Sequence, residues 1–585
     1  MRSVLLASCL ILGFRESLPA QPRPAAPDYN LRTPFEADTL ASASYEETIA
    51  YYEVLAKAFP RQCSIDSIGL TDAGLPLRLF TVWSGERTDP RQPDARTFFV
   101  NNGIHAGEPC GVDASMMLAR GVLDGSLGID LGPTTLAIVP AYNVGGMLNR
   151  GWPSRANQVG PRAHGFRGNA RNLDLNRDFV KQDSRNARAL TAALREMSPD
   201  VFVDTHTTNG ADYAYHLTVI ATQPEKLGPV LGPFLTDEML PELYAGLEAA
   251  GHPVSPYVYS PGVPQEAGLY PFIESPRYSS GYAALLHSLS FITEAHMLKP
   301  FATRVRATEA FLQTALRFYL GHLDEIAAAR QANRVAVVRD SVTLAWEVDT
   351  ARADTVRFRG YAPVRAESAV TGGERLRYDR SRPQTVATPY YRYAKPKTRV
   401  TPPAAYVVPY AYGELLDKLG AGTSLRVDTV EAMTSRLLTT HIVEDYSTVE
   451  TPYEGHYLHY GVRVRDTAYR VTLRPGDYVV SVTPDNARLL TAAFEPTAPD
   501  SYFAWGFFDS HLQQKEHYSA YVFEETAARM LQEDEALRDA FSRKRNAHGG
   551  FRQNRRAQLD WLYRRSAHYE HPMRLPVRRI ENPPR

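Results

Sequence analysis

The sequence predicts an α/β fold for the first half of the chain, a mostly parallel or mixed sheet with helices on both faces, followed by a strand-rich α+β accessory region. Short continuous apolar runs at 98–101, 135–140 and 200–205 alternate with stretches of helical spacing at 111–123 and 186–197. An apolar run with no polar alternation marks a strand covered on both faces, as parallel strands linked by helices are. After about Gln331 the texture changes to alternating, strand-like segments such as 334–348 and 461–483, with prolines clustered near 383–403.

Taken in order, residues 21–44 are rich in Pro, Ala and Ser and form an arm. Apolar positions recur at helical spacing over 44–59, and 65–83 has the pattern of strand, turn, strand around Gly74. The runs at 98–101, 135–140 and 200–205 supply further strands. A long amphipathic segment, 304–330, with Val305, Leu312, Leu316, Leu320 and Leu323 toward one side, closes the first region at a soft boundary near 330. Residues 518–544 are helical and charged, and the tail from Arg552 is basic and poorly patterned.

With 585 residues the chain is too long for a single ordinary core. Hydrophobic residues at 44% and charged residues at 22% describe a globular protein. Lys+Arg and Asp+Glu balance at 65 each, so no global field draws nucleic acid or an anionic surface, and small or peptidic partners are expected instead. Arg2, the apolar run 4–14 and Leu18-Pro19-Ala20 before Gln21 predict a signal peptide over 1–20 and an exported protein, secreted or periplasmic. No later run reaches the roughly 20 apolar residues that span a bilayer. Cys63 and Cys110 do not make a disulfide framework, and their pairing stays open. Cys110 has the character of a small buried residue packed under a turn.

The chemistry starts at residues 98–111, FFVNNGIHAGEPCG, where an apolar strand ends in a polar turn carrying His105 and Glu108. H-x-x-E spacing lets a turn aim an imidazole and a carboxylate at one point, which suits one zinc ion. A catalytic zinc takes three protein ligands and keeps one position open. His206, at the end of the strand DVFVDT, is the expected third ligand, because ligands gather beyond the carboxyl ends of strands in such sheets. Asp174 is placed to accept the second N–H of a ligating histidine.

Two further segments supply candidate groups. In GFRGNARNLDLNRDF, residues 165–179, Arg177 offers a fork that grips a carboxylate and Asn176 adds an amide donor, as recognition of a free peptide C-terminus requires. Glu294, in SFITEAHM, is a carboxylate at the end of an apolar strand, where burial without purpose is rare. Beside a zinc site it is a general base. His296 is an alternative ligand.

HAGE, LDLNRDF, DTHTT and FITEAH, in this order, resemble the zinc carboxypeptidases related to carboxypeptidase A, over roughly residues 45–320. The resemblance implies that His105, Glu108 and His206 hold one Zn2+, that Glu294 is the general base, and that Asn176 and Arg177 bind the substrate's terminal carboxylate. It further implies an arginine that polarises the scissile carbonyl downstream of an N-P-D-G turn. Here that turn is Asn143-Val144-Gly145-Gly146, and Arg155 is the expected residue, with Arg150 the runner-up. The family's mobile tyrosine corresponds to Tyr278, with Tyr270 and Tyr282 open.

The resulting expectation is a signal peptide over 1–20, a zinc carboxypeptidase-like catalytic domain over 21–330 and a strand-rich region over 331–585. The implied activity is hydrolysis of C-terminal residues from peptides with a free carboxylate, through zinc-activated water and a glutamate general base. Two other functions compete: an amidase or deacylase acting on cell-wall peptides or acylated amino acids, and a non-catalytic zinc-containing protein that binds peptide or glycan.

Overall fold

The computed structural model describes residues 31–84, 96–151, 154–208, 210–337, 341–420 and 425–582, so the expected signal over 1–20 lies outside the described residues. From Arg32 onward the chain clusters as one unit. Its first half is built on eight strands: β1 (Cys63–Leu70), β2 (Pro76–Val82), β3 (Arg96–Asn101), β4 (Thr134–Val139), β5 (Val201–Thr208), β6 (Leu217–Ala221), β7 (Val254–Pro256) and β8 (Leu289–His296). They lie in the order β1-β2-β4-β3-β5-β8-β6-β7. Strands β4, β3, β5 and β8 run parallel, β1 and β2 are antiparallel additions, and β6 runs against β8.

The parallel strands are buried at nearly every position because both faces are covered. On one face Phe98 packs against Tyr319 of the helix Phe301–Gly321, which lies beside the helix Cys110–Leu123. On the other, Phe99 stacks on Phe202 and joins Leu190, Leu194 and Tyr282 in a single core. Helix Tyr45–Ala58 begins at the Ser44 capping box, and helix Arg185–Met197 begins where the Ser184 hydroxyl accepts the N–H of Ala187.

The expected elements over 44–59, 65–83, 98–101, 111–123, 135–140 and 186–197 are present within a few residues. The segment 304–330 is two helices, Phe301–Gly321 and Leu323–Val337, because the first ends at Gly321–His322, where the His322 N–H turns back to Tyr319. Residues 334–337 therefore remain helical, and the first accessory strand begins only at Val342.

That region contains β9 (Val342–Val348), β10 (Asp354–Glu367), β11 (Glu374–Tyr390), β12 (Ala394–Val400), β13 (Ala405–Val408), β14 (Val427–Thr429), β15 (Thr434–Thr448), β16 (His459–Leu473), β17 (Tyr478–Ser481) and β18 (Arg574–Ile580). Strands β10–β11 and β9–β12 form two-stranded sheets, and the rest make a six-stranded antiparallel sheet, β14-β17-β13-β18-β15-β16. The basic tail thus ends as an interior strand. Leu575, Val577 and Arg579 of β18 are buried, and Arg579 pairs with buried Glu495 at 3.1 Å. An arginine at an inward position hides the apolar alternation that would mark the strand.

Leu415, Leu489, Phe494, Tyr502 and Phe503 of this region share one buried cluster with Phe179, Leu190 and Tyr282. Arg330, near the expected boundary, is buried and pairs with Asp200. Cys63 and Cys110 are buried and unpaired. Among the described residues no helix is long and apolar enough to cross a membrane.

Candidate active site

At the carboxyl end of β3 the chain turns through Gly103, whose φ of +66° is left-handed, and delivers His105. The N–H of Glu108 bonds to the carbonyl of His105 at 2.9 Å, which closes the turn ahead of the helix Cys110–Leu123. Gly111 lets that helix pass over β5, since a Cβ there would stand 1.9 Å from the Thr205 hydroxyl. The next residue on β5 is His206, which lies inside the strand rather than after it, and β5 pairs with β8 so that His206 is directly opposite Glu294.

His105, Glu108 and His206 are each only 3% exposed, and one ligand atom from each lies within 4.8 Å of the others. Nε2 of His105 contacts Oδ1 of Asp174 at 3.0 Å, and Nε2 of His206 contacts Oδ2 of Asp204 at 2.9 Å. With Nε2 so engaged, each ring turns Nδ1 toward Glu108, at 3.3 Å from Oε1 for His105 and 3.4 Å from Oε2 for His206. Two imidazole nitrogens and a carboxylate, each imidazole oriented by its own aspartate, are the donor set of a catalytic zinc, so the residues present fit that ion. Asp174, expected to accept from a ligating histidine, is in contact with His105. His296 stands apart, with its ring against Tyr213 and Nε2 on the carbonyl of Ala211. Cys110 packs beneath the turn, its Sγ near the Thr207 hydroxyl.

The electrostatics divide the two glutamates. Burial works to raise Glu108, but the guanidinium of Arg155, then His105 and His206, hold it well below the usual carboxylate range. Burial raises Glu294 to about 7, with His206 pulling it down and Glu108 pushing it up. Glu108 is thus held ionised, and Glu294 is raised.

These groups share a cleft of about 470 Å3 that also takes in Arg155, Arg167, Asn176, Arg177, Tyr278, Tyr257, Phe272, Ile220 and Ile292. Oδ1 of Asn176 accepts the N–H of Ser279 at 2.9 Å. That bond ties Asn176 to the start of the helix Ser279–Leu285, just after Tyr278. The Arg177 guanidinium lies over the Tyr278 ring, 4.4 Å from its centroid. Tyr282 is buried in the core with its hydroxyl on Arg195, and Tyr270 stacks on Tyr391.

Arg150 bonds to the carbonyls of Ser42 and Ala43 and does not line the cleft. Arg155 does line it, but its donors are committed to Glu108 at 2.7 Å, the Thr207 carbonyl at 3.0 Å and Gln158 at 2.7 Å. Arg167, which the sequence reading passed over, is 43% exposed against 14% for Arg155. Its Nε and Nη2 hold Oδ2 of Asp174 at 3.0 and 2.9 Å, and its Nη1 stands 3.3 Å from Nδ1 of His105 and 3.6 Å from Oε1 of Glu108. The Asn143 turn locates it, because Nδ2 of Asn143 donates to the carbonyls of Arg167 at 2.8 Å and Ile104 at 3.3 Å. A turn anchor reaching forward to a residue before LDLNR was the available signal.

The sequence profile described as zinc carboxypeptidase matches residues 48–213. Over this stretch the chain is similar to the zinc carboxypeptidases. The match supports a peptide hydrolase. The zinc carboxypeptidase match takes in His105, Glu108, Asn176, Arg177 and His206 and stops before Tyr278 and Glu294. Among solved structures, the chain overlaps a metallo-carboxypeptidase from Burkholderia cenocepacia at 20% identity and TM-score 0.35, over 48% of this chain and 70% of that one. The metallo-carboxypeptidase of Pseudomonas aeruginosa, in complex with (2-guanidinoethylmercapto)succinic acid, overlaps at 17% identity and TM-score 0.36, over 48% and 70%. Carboxypeptidase A of Helicoverpa armigera does so at 14% identity and TM-score 0.37, over 53% and 78%. No curated protein sequence matches significantly.

Proposed function

We propose that this hydrolase removes single residues from the C-termini of peptides. The observation that carries the reading is that Asn176 and Arg177 line the same cleft as the His105–Glu108–His206 cluster and Glu294. A fork of N–H donors beside a metal site suits a substrate that ends in a carboxylate.

Nδ1 of His105, Nδ1 of His206 and the Glu108 carboxylate would hold the zinc ion. When bound, zinc supplies Lewis acidity toward water and a peptide carbonyl. The Glu294 carboxylate takes a proton from the attacking water and returns it to the departing amine nitrogen. The Arg167 guanidinium donates to the oxygen that gains charge as the carbonyl is attacked, while Arg155 keeps Glu108 ionised. Asn176 and Arg177 hold the terminal carboxylate, and Tyr278 covers it. Ile220 and Ile292, opposite one another on β6 and β8, and Phe272 make the remaining wall apolar, which favours an apolar terminal side chain.

Amino-acid release from paired peptides with free and amidated C-termini tests this reading. Release should stop with a chelator and be about 100-fold or more slower from the amide, since hydrogen bonds to charge are lost. Equal rates on both peptides would remove the exopeptidase assignment. Export is part of the proposal, and a mature protein that retains residues 1–20 in the cytoplasm would remove that part.

A further inference from the structure

Arg177 is held by the C-terminal region. Between β15 and β16 the chain closes a tight turn at residues 453–456, with the Tyr453 N–H on the His456 carbonyl at 2.7 Å and the reverse bond at 3.1 Å. Glu454, at the head of this turn, has a left-handed φ of +51°, a conformation that costs a non-glycine residue and persists only where surroundings hold it. They do so here through three contacts to one short segment. The Tyr453 hydroxyl accepts Nε–H of Arg177 at 2.9 Å, Oε2 of Glu454 accepts the N–H of Asp174 at 2.7 Å, and Nε2 of His456 meets Oδ2 of Asp183 at 2.6 Å. The Tyr453 ring stacks on Trp505 with an interplanar angle of 8°, and Arg277 lies against both rings while pairing with Asp500.

The consequence falls on the geometry of the fork. Arg177 spends Nε on Tyr453 and one Nη1 hydrogen on the Asn176 carbonyl, and its flat face rests on Tyr278. The plane and rotation of the guanidinium are thereby set in a side chain that lines the cleft. A free arginine loses rotamer freedom when immobilised, so fixing it beforehand strengthens ligand binding without touching the chemical step.

We propose that Tyr453 is a positioning residue for recognition of the substrate's terminal carboxylate, so that the C-terminal region completes the specificity of the cleft. This rests on Arg177 being the carboxylate ligand. The experiment compares wild type, Tyr453→Phe, Arg177→Ala and the double variant on the free and amidated peptides, with zinc content and thermal melting as controls. Phe retains the stacking surface for Trp505 and removes only the acceptor. The expected result for Tyr453→Phe is a KM for the free peptide raised about tenfold, as for one hydrogen bond to a charged group, with kcat within about twofold. The amidated peptide is unaffected, and adding Tyr453→Phe to Arg177→Ala changes nothing further.

An unchanged KM, equal losses on both peptides, or an undiminished Tyr453→Phe effect in the Arg177→Ala background would overturn the role of Tyr453 and leave the Arg177 assignment standing. Failure of Arg177→Ala to discriminate between the peptides would overturn both.

Discussion

Replacing Glu294 by Gln changes one oxygen for an NH2 at constant volume and leaves His105, Glu108 and His206 in place. An amide takes no proton in the working pH range, so the contribution of a positioned general base, about 10²- to 10⁴-fold, is lost from kcat. By the transition-state relation this is about 3–5 kcal/mol of barrier. The variant should still bind zinc stoichiometrically, and single-turnover assays at saturating peptide give the loss directly. A second readout needs no activity. In the metal-free protein, burial carries the Glu294 carboxyl from an ordinary 4.5 to about 7. A group raised in this way stays protonated in the fold while the unfolded chain ionises, so stability is lost as pH rises from about 4.5 through about 7. The full gap corresponds to about 3 kcal/mol, which Gln does not incur. Metal-free Glu294→Gln should therefore match wild type in melting temperature near pH 4.5 and exceed it near pH 8. With a dication bound, the added positive charge lowers Glu294, so the acid limb of kcat/KM lies below about 7 and vanishes with the residual rate of the variant. Undiminished turnover in zinc-loaded Glu294→Gln would refute the proton-carrier role, and a melting difference independent of pH would refute the burial argument.

Arg167→Ala should lower kcat by about 10²–10³ at full zinc occupancy, as loss of one oxyanion donor does, whereas Arg155→Ala should show mainly as weaker zinc binding through Glu108; the opposite pattern would exchange their roles. Asp204 orients His206 and also accepts from Asn101 and Ser279, so Asp204→Asn should weaken zinc by about 10- to 100-fold in competition with a chelator, and an unchanged affinity would refute the orienting role. Asp113 is buried against the Ala43 N–H and raised to about 8 by that burial. Wild type should lose stability relative to Asp113→Asn as pH rises from about 4 to about 8, by up to ~1.4 kcal/mol per pH unit, and parallel melting curves across that range would count against a protonated Asp113.

Much of the site was legible because it is local. His105 and Glu108 lie on one turn, and His206 and Glu294 lie near the carboxyl ends of apolar strands, where a polar residue announces itself against its neighbours. Asn176 and Arg177 are adjacent in one polar segment. The sheet was legible for the same reason: buried parallel strands are continuous apolar runs. Other features left no such mark. Arg167 is one arginine among several between residues 150 and 177, and only the Asn143 anchor separates it from Arg155. The strand β18 was hidden because its inward Arg579 finds Glu495, a partner 84 positions away.

The sequence by itself singled out His105, Glu108, His206, Glu294 and the Asn176–Arg177 pair as candidates, since each stands out by residue type at short spacing on elements whose periodicity is local. Only the tertiary structure showed that Arg167 is more exposed in the cleft than Arg155, and that Tyr453, 276 residues from Arg177, accepts its Nε–H. Those contacts follow from the packing of the C-terminal region on the face of the sheet that carries Phe179 and Leu190, and the pairing of two buried faces leaves no period in either segment.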